Sequence, residues 1–207
     1  YRHLYQYDYN GTLKRQITKG EFYVTDYYGS DPRTGTHYMQ TTSLGAINRN
    51  LASVDSKGVF KLMNKEEGTA SARFSKDFTY YLLSYSNASV PTQYRLFNSK
   101  GVKLADVELN TAYAQKYADA PKMEFLKVKN AAGEDMDAYI IKPSNFDPSK
   151  KYPLLMTQYN GPESQEVKNQ WKMGAMFYYA SQGYVIACVD GRGTGFKNTK
   201  WTYSVYK

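Results

Sequence analysis

Hydrophobic and polar residues alternate along the first half of the chain. Segments rich in Tyr, Thr and Phe are separated by Gly, Asp, Asn and Pro, which is the pattern of short, half-buried β-strands. The segments that we predict as strands are residues 22–28, 36–42, 70–74, 78–84 and 94–98. The first half of the chain is therefore predicted to be mainly β.

A turn motif recurs within this half. Three similar stretches, residues 4–11, 51–58 and 94–101, end in a polar turn closed by Gly11, Gly58 and Gly101, which are 47 and 43 positions apart. A repeat of this length with several short strands per unit is typical of β-propeller blades. Residues 1–115 hold two blades and the edge of a third, whereas a closed propeller has about four to eight. We therefore expect a partial propeller and a chain that is a piece of a longer protein.

The second half follows a strand, helix, strand pattern. Residues 154–158 and 184–189 are short apolar runs that predict strands. Helical spacing between them is carried by Met173, Met176, Phe177 and Ala180, and Gly183 follows where a helix would end. Such units pair their strands in parallel and place ligands at the carboxyl ends of the strands.

The boundary between the two halves is predicted between Thr111 and Pro121, a stretch that loses strand character and has the composition of a short helix. After it, residues 124–129 and 136–141 predict a hairpin that turns at residues 130–133. We therefore divide the chain into partial propeller blades at residues 1–115 and the opening of an α/β domain at residues 116–207.

Two loop motifs follow the two apolar strands. The first is Tyr159-Asn160-Gly161-Pro162 and the second is Asp190-Gly191-Arg192-Gly193-Thr194-Gly195. Together, at this spacing, they resemble the start of the peptidase domain in the dipeptidyl peptidase IV group of the prolyl oligopeptidase family of serine peptidases. In that family a β-propeller precedes an α/β-hydrolase domain, so the blade-like first half agrees with the resemblance.

The resemblance implies a hydrolase that releases N-terminal dipeptides, preferentially X-Pro, from peptide substrates through an acyl-enzyme. It implies that the Tyr159 hydroxyl stabilises the oxyanion, with Gly161 and Pro162 fixing its turn; a tyrosine that merely packs at a strand end is the alternative. Asp190 and Arg192 are expected to support the site loops, with Arg192 paired to a buried carboxylate. Export to the periplasm or cell surface and homodimer assembly are also implied.

The remaining catalytic groups of a serine peptidase are missing from the sequence. The chain contains no Gly-x-Ser-x-Gly motif, and both histidines, His3 and His37, lie in the blade-like half. We expect this segment alone to be inactive and the Ser, Asp and His of the triad to lie elsewhere in the parent. Alternatives are a non-catalytic relative that binds peptides or partners, and a family member of different specificity.

Several other functions are disfavoured by composition. The net charge of +8 is spread as +4 in each half, which argues against a nucleic-acid surface. No apolar run approaches the roughly 18 residues of a membrane helix. Cys188, the single cysteine, is expected to be a small hydrophobe in a strand that is buried on both faces, and no metal or cofactor motif is present.

Two further motifs are predicted to have structural roles and not to bind ligands. The alternating glycines at Gly191, Gly193 and Gly195 lack the spacing, the following helix and the later acidic residue of a dinucleotide-binding loop. Glu66-Glu67 invites comparison with the glutamate pair that binds a substrate's amino terminus in the family, but here it is predicted to be a polar turn between strands.

Overall fold

The computed structural model describes residues 1–206. Its strands and helices, in chain order, are β1 (Tyr5–Tyr7), β2 (Leu13–Gln16), β3 (Val24–Asp31), β4 (Thr36–Thr41), β5 (Asn50–Val54), β6 (Phe60–Leu62), β7 (Thr69–Phe74), β8 (Tyr80–Asn87), β9 (Val90–Asn98), β10 (Lys103–Glu108), α1 (Thr111–Lys116), β11 (Met123–Lys129), β12 (Asp135–Ile141), β13 (Leu154–Thr157), α2 (Ala175–Ser181), β14 (Val185–Asp190) and α3 (Thr199–Tyr203). Among these residues, no helix is long and apolar enough to cross a membrane.

The first half forms the predicted blades. Strands β3 to β6 make one four-stranded antiparallel sheet in sequence order, and β7 to β10 make a second, which is the meander of a propeller blade. Strand β5 was not predicted because it does not alternate: all five of its residues, including Asn50 and Ser53, are buried. Strands β1, β2, β6 and β10 were also missed, because they are short or exposed.

The repeated turn motif has a local physical cause. The side-chain oxygen of Asp8 accepts the N–H groups of Asn10 and Thr12 at 3.0 and 2.8 Å, and Asp55 and Asn98 form the same two bonds two and four residues ahead. The three glycines that close the turns have φ of 81°, 86° and 84°. This motif is the β5–β6 and β9–β10 hairpin, so β1 and β2 correspond to the last hairpin of a preceding blade.

Aromatic rings pack the two blades together. Tyr38 of the first blade contacts Phe74 and Phe78 of the second, with ring centroids 4.5 and 5.6 Å apart. Tyr81 stacks on Phe97 within the second blade, with an interplanar angle of 5°. Such aromatic pairs contribute about 0.5–1.5 kcal/mol each beyond the area that they bury. A cluster of aromatic residues around Tyr38 and Phe74 therefore packs the two blades against each other.

Gly68 joins the two blades where no side chain fits. Its φ is +147°, and a Cβ would lie 2.4 Å from the Ser86 carbonyl oxygen. We expect Gly68→Ala to lower the free energy of unfolding by about 2 kcal/mol, because the backbone contact and the φ both oppose a side chain. The matched control is Gly58→Ala, where φ is also positive but nothing lies within 4 Å, and about 1 kcal/mol is expected. Denaturant unfolding of both variants measures the difference, and equal losses would contradict it.

The second half forms the opening of the predicted α/β sheet. Its strand order is β11-β12-β14-β13; β13 and β14 are parallel and α2 lies between them in the chain. Phe177 and Ala180 of α2 are buried in the core, and Gly183 ends the helix at φ +93°. The helix begins at Ala175, so Met173 precedes it. Cys188 is 1% exposed in the core, as predicted. Strand β14 alternates between buried and half-buried residues, so only one of its faces is fully buried, whereas we expected both.

Candidate active site

The two loop motifs meet at the carboxyl edge of the α/β sheet. Because Thr157 pairs with Cys188 in parallel register, both strands end at the same place. Asn160 accepts the Gly191 N–H through its Oδ1 at 3.1 Å. Two backbone bonds complete the junction, from the N–H of Glu163 to the Gly193 oxygen at 3.0 Å and from that of Gly195 to the Ser164 oxygen at 2.8 Å.

Tyr159 is held with its ring at the surface. The residue is 65% exposed, and a Cβ on Gly161 would lie 3.0 Å from Cε1, Cζ and the hydroxyl oxygen of the tyrosine. The ring therefore rests against Gly161, which is small enough to accept it. The Ser164 hydroxyl lies 2.9 Å from the Tyr159 carbonyl oxygen and 2.6 Å from that of Gly161, and its single hydrogen is shared between them, which fixes the backbone beneath the ring.

The turn after Tyr159 is closed by a hydrogen bond and contains one residue with a strained backbone conformation. The Ser164 N–H donates to the Gly161 oxygen at 3.0 Å. Pro162 takes the second position, and Glu163 takes the third with φ +59°, the signature of a type II turn. A non-glycine residue at this φ costs about 1–2 kcal/mol. The Glu163 carboxylate lies 3.3 Å from the Arg2 guanidinium, so the turn also contacts the blade half.

Asp190 is a buried carboxylate that binds backbone. Its residue is 5% exposed, and its two oxygens accept the N–H groups of Glu166 and Val167 at 3.0 Å each. Burial raises the pKa of the Asp190 carboxyl, and the two backbone hydrogen bonds oppose that rise. The structure thus places Asp190 below the Tyr159 loop, where it anchors the segment that follows.

Arg192 has a different partner from the one expected. It lies 2.6 Å from the Glu134 carboxylate, which is 41% exposed in its side chain, so the predicted pairing with a buried carboxylate is wrong. Arg192 points outward because the inner side of the glycine loop is occupied by Trp201, whose Nε1 donates to the Gly191 oxygen at 3.1 Å. Hydrogen bonds from Asn130 and then Arg192 lower the pKa of Glu134.

The glycine loop packs against protein groups. A Cβ on Gly195 would lie 2.8 Å from the Glu163 carbonyl oxygen, and Thr194 donates to the Gly191 oxygen at 2.7 Å. A short helix, α3, does follow the loop, capped by Asn198, although none was expected from the sequence. In residues 1–206 no group of three or more His, Cys, Asp or Glu side chains is arranged to hold a metal ion.

Glu66 and Glu67 lie in a turn between β6 and β7, as predicted. The Glu66 carboxylate pairs with Arg95 of the same blade half at 2.9 Å. The Glu67 carbonyl oxygen accepts the Tyr85 hydroxyl at 2.7 Å. The Glu66 carboxylate and the Glu67 carbonyl group therefore both bind side chains of the second blade.

Sequence reasoning missed Arg49. This residue is 7% exposed and lies at the junction of the blades and the two loops, where it donates to Gln165. The only sequence signal is a cation flanked by Asn48 and Asn50 just before a run of small and apolar residues. That signal does not reveal a partner 116 positions away.

The sequence of this chain is similar to those of dipeptidyl peptidase IV proteins, in which the resemblance predicted a β-propeller followed by an α/β domain. Residues 1–92 match the family model for the dipeptidyl peptidase IV N-terminal region. The chain is 37% identical to dipeptidyl peptidase 4 of Arthroderma otae and 35% identical to that of Trichophyton rubrum, in each case over 99% of this chain and 28% of the relative. The chain therefore spans little more than a quarter of these curated relatives.

Solved structures give the same result. The crystal structure of Porphyromonas gingivalis dipeptidyl peptidase 4 matches with a TM-score of 0.91 and 38% identity, covering 99% of this chain and 29% of that one. A putative dipeptidyl aminopeptidase IV from Bacteroides ovatus matches with a TM-score of 0.80 and 25% identity, covering 99% and 31%. The resemblance expected from the two loop motifs is confirmed: along nearly its whole length, this chain is similar to a segment of proteins named dipeptidyl peptidase 4.

Proposed function

We propose that the full-length protein is a serine-type dipeptidyl peptidase and that this segment supplies Tyr159 as an oxyanion donor. The observation that carries the proposal is the position of Tyr159, exposed at the carboxyl end of β13 on a loop bonded to the neighbouring loop. Sheets of this kind bind their ligands at that edge. The similarity to proteins named dipeptidyl peptidase 4 supports the reaction class.

The physical role follows from the charge that develops during acyl transfer. When a serine attacks a peptide carbonyl, the oxygen becomes negative, and a donor already aimed at it stabilises the transition state more than the ground state. The Tyr159 hydroxyl is suited to donate because its residue is 65% exposed at this edge of the sheet, where a substrate oxygen could approach it. The Ser164 bonds hold the backbone of its loop, so little reorganisation is needed.

The groups of the triad belong, in this proposal, to the part of the protein outside these 207 residues. His3 bonds to Thr18 and Gly20 within the blade half, and His37 bonds to the Tyr27 hydroxyl at 3.0 Å. Neither histidine lies on the loops around Tyr159. Preference for proline at the second substrate position, export and homodimer assembly remain predictions from the resemblance.

Labelling and substrate cleavage test this proposal together. We expect the full-length protein to react with a fluorophosphonate probe at a serine and to cleave a Gly-Pro chromogenic amide. The N-acetylated form of the same amide should resist cleavage, because a dipeptidyl peptidase requires a free amino terminus. No labelling and no cleavage would favour a non-catalytic binding protein, and cleavage of the acetylated substrate would favour a different specificity in the same family.

A further inference from the structure

Arg49 is a buried cation without an acidic partner. It is 7% exposed, and none of the ion pairs among residues 1–206 includes it. Burial lowers the pKa of its guanidinium to about 10. Removing a charge from water without a counterion is costly, so the contacts that hold Arg49 must offset that cost. Those contacts lie on both sides of the junction between the blade half and the α/β half.

On the blade side, the guanidinium is bound by backbone. Nη1 of Arg49 donates to the carbonyl oxygens of Ala46 and Asn48, both at 2.9 Å. These bonds hold the guanidinium group against the loop that precedes β5. The α/β half contributes the Oε1 of Gln165, which accepts from Nη2. Gln165 in turn donates to the Ala46 oxygen at 2.8 Å, so the two side chains close a small bonded ring across the junction.

The remaining face of the guanidinium stacks on Phe196. The distance from its central carbon to the ring centroid is 4.2 Å, within the range of a cation–π interaction. Tyr23 contacts the same ring edge-on, at 6.0 Å between centroids. Phe196 has φ +68°, a conformation that non-glycine residues adopt only when their surroundings hold them there. The blade half therefore holds a strained residue directly after the glycine loop.

The two contacts that Arg49 makes with the α/β half, to Gln165 and Phe196, connect it to the backbone beneath Tyr159. Gln165 follows Ser164, and Phe196 follows Gly195, whose N–H donates to the Ser164 oxygen at 2.8 Å. Ser164 is the residue whose hydroxyl binds the Tyr159 carbonyl oxygen. We propose that Arg49 is a positioning residue, which fixes Ser164 through Gln165 and Phe196 and thereby sets the orientation of the Tyr159 hydroxyl.

This inference rests on the proposed function, and a double-mutant comparison tests it. In the full-length protein, we expect Arg49→Met to lower kcat on a Gly-Pro amide by about 10-fold, with KM changed less than 2-fold, because small misplacements of a catalytic group are costly. In a Tyr159→Phe background, the same substitution should lower kcat less than 2-fold, since no hydroxyl remains to be positioned. A full 10-fold loss in both backgrounds would overturn the proposal.

Two further variants separate positioning from stability. Arg95→Met is the matched control, because Arg95 also packs over a ring, that of Tyr85, but its contacts stay within the blade half; the kcat of this variant should be unchanged. Arg49→Lys keeps the charge but loses the planar guanidinium group with its several donors, and we expect a kcat between those of the wild type and Arg49→Met. If circular dichroism shows that Arg49→Met does not fold, Arg49→Lys takes its place in the test. Wild-type kcat in a folded Arg49→Lys variant would contradict the proposal.

Hydrogen exchange distinguishes this proposal from the proposed function. If Tyr159→Phe itself leaves kcat unchanged, the oxyanion role fails, and Arg49 is then judged by the amide exchange of Ser164 and Gly195, whose N–H groups donate to the Gly161 and Ser164 oxygens. We expect Arg49→Met to accelerate exchange there at least 10-fold while Arg95→Met does not. Unchanged exchange at those amides would overturn the positioning role whatever the activity shows.

Discussion

Replacing Tyr159 by phenylalanine in the full-length protein is expected to lower kcat by about 100- to 1,000-fold. The substitution removes the hydroxyl but keeps the ring that rests on Gly161, so the loop should keep its shape. Because the hydrogen bond forms to charge that develops only in the transition state, KM should change little. Steady-state kinetics on a Gly-Pro amide measure both constants.

The control for this substitution is Tyr178→Phe. Tyr178 lies on α2 and is 62% exposed, close to the exposure of Tyr159, but it is not on either site loop. Its loss should leave kcat unchanged. A Tyr159→Phe enzyme with normal kcat and a large rise in KM would show that the residue binds substrate and does not stabilise the oxyanion.

Replacing Asp190 by alanine should lower the free energy of unfolding by about 3 kcal/mol. The carboxylate accepts the N–H groups of Glu166 and Val167, which are partly buried and buried, respectively. A buried donor left without a partner costs about 1–3 kcal/mol, and the loss is reduced because an unfavourably buried charge is also removed. Scanning calorimetry of the full-length protein gives the change in stability, and hydrogen exchange locates it at those two amides.

Asp190→Asn is the matched variant. Its amide oxygen can accept one of the two N–H groups, whereas its own NH₂ group would face the other. We therefore expect a loss between that of alanine and zero, about 1–2 kcal/mol, with one of the two amides still protected. Wild-type stability in both variants would mean that the segment after Tyr159 is held by other contacts.

The blades could be predicted because their turn chemistry is local. The bonds of Asp8, Asp55 and Asn98 span only four residues, and a glycine in each turn supplies the positive φ, so the motif appears directly in the sequence. Strand β5 was missed because complete burial removes the alternation on which strand prediction depends. Its place was implied only by the turn that follows it.

The meeting of the two site loops could also be predicted. Parallel strands joined by a helix bring their carboxyl ends to one edge, and this places Asn160 beside Gly191. The partner of Arg192 could not be predicted, because it depends on which side of the loop Trp201 fills. Arg49 was missed for a related reason: its contacts with Gln165 and Phe196 join residues more than 100 positions apart.

A crystal structure of the full-length protein with a peptide boronate tests the central claim most directly. The boronate forms a tetrahedral adduct with a reactive serine and carries an oxygen where the oxyanion would lie. We predict that the Tyr159 hydroxyl lies about 2.6–3.0 Å from that oxygen. A hydroxyl directed to solvent, or more than about 4 Å from an oxygen bound only by other donors, would contradict the account.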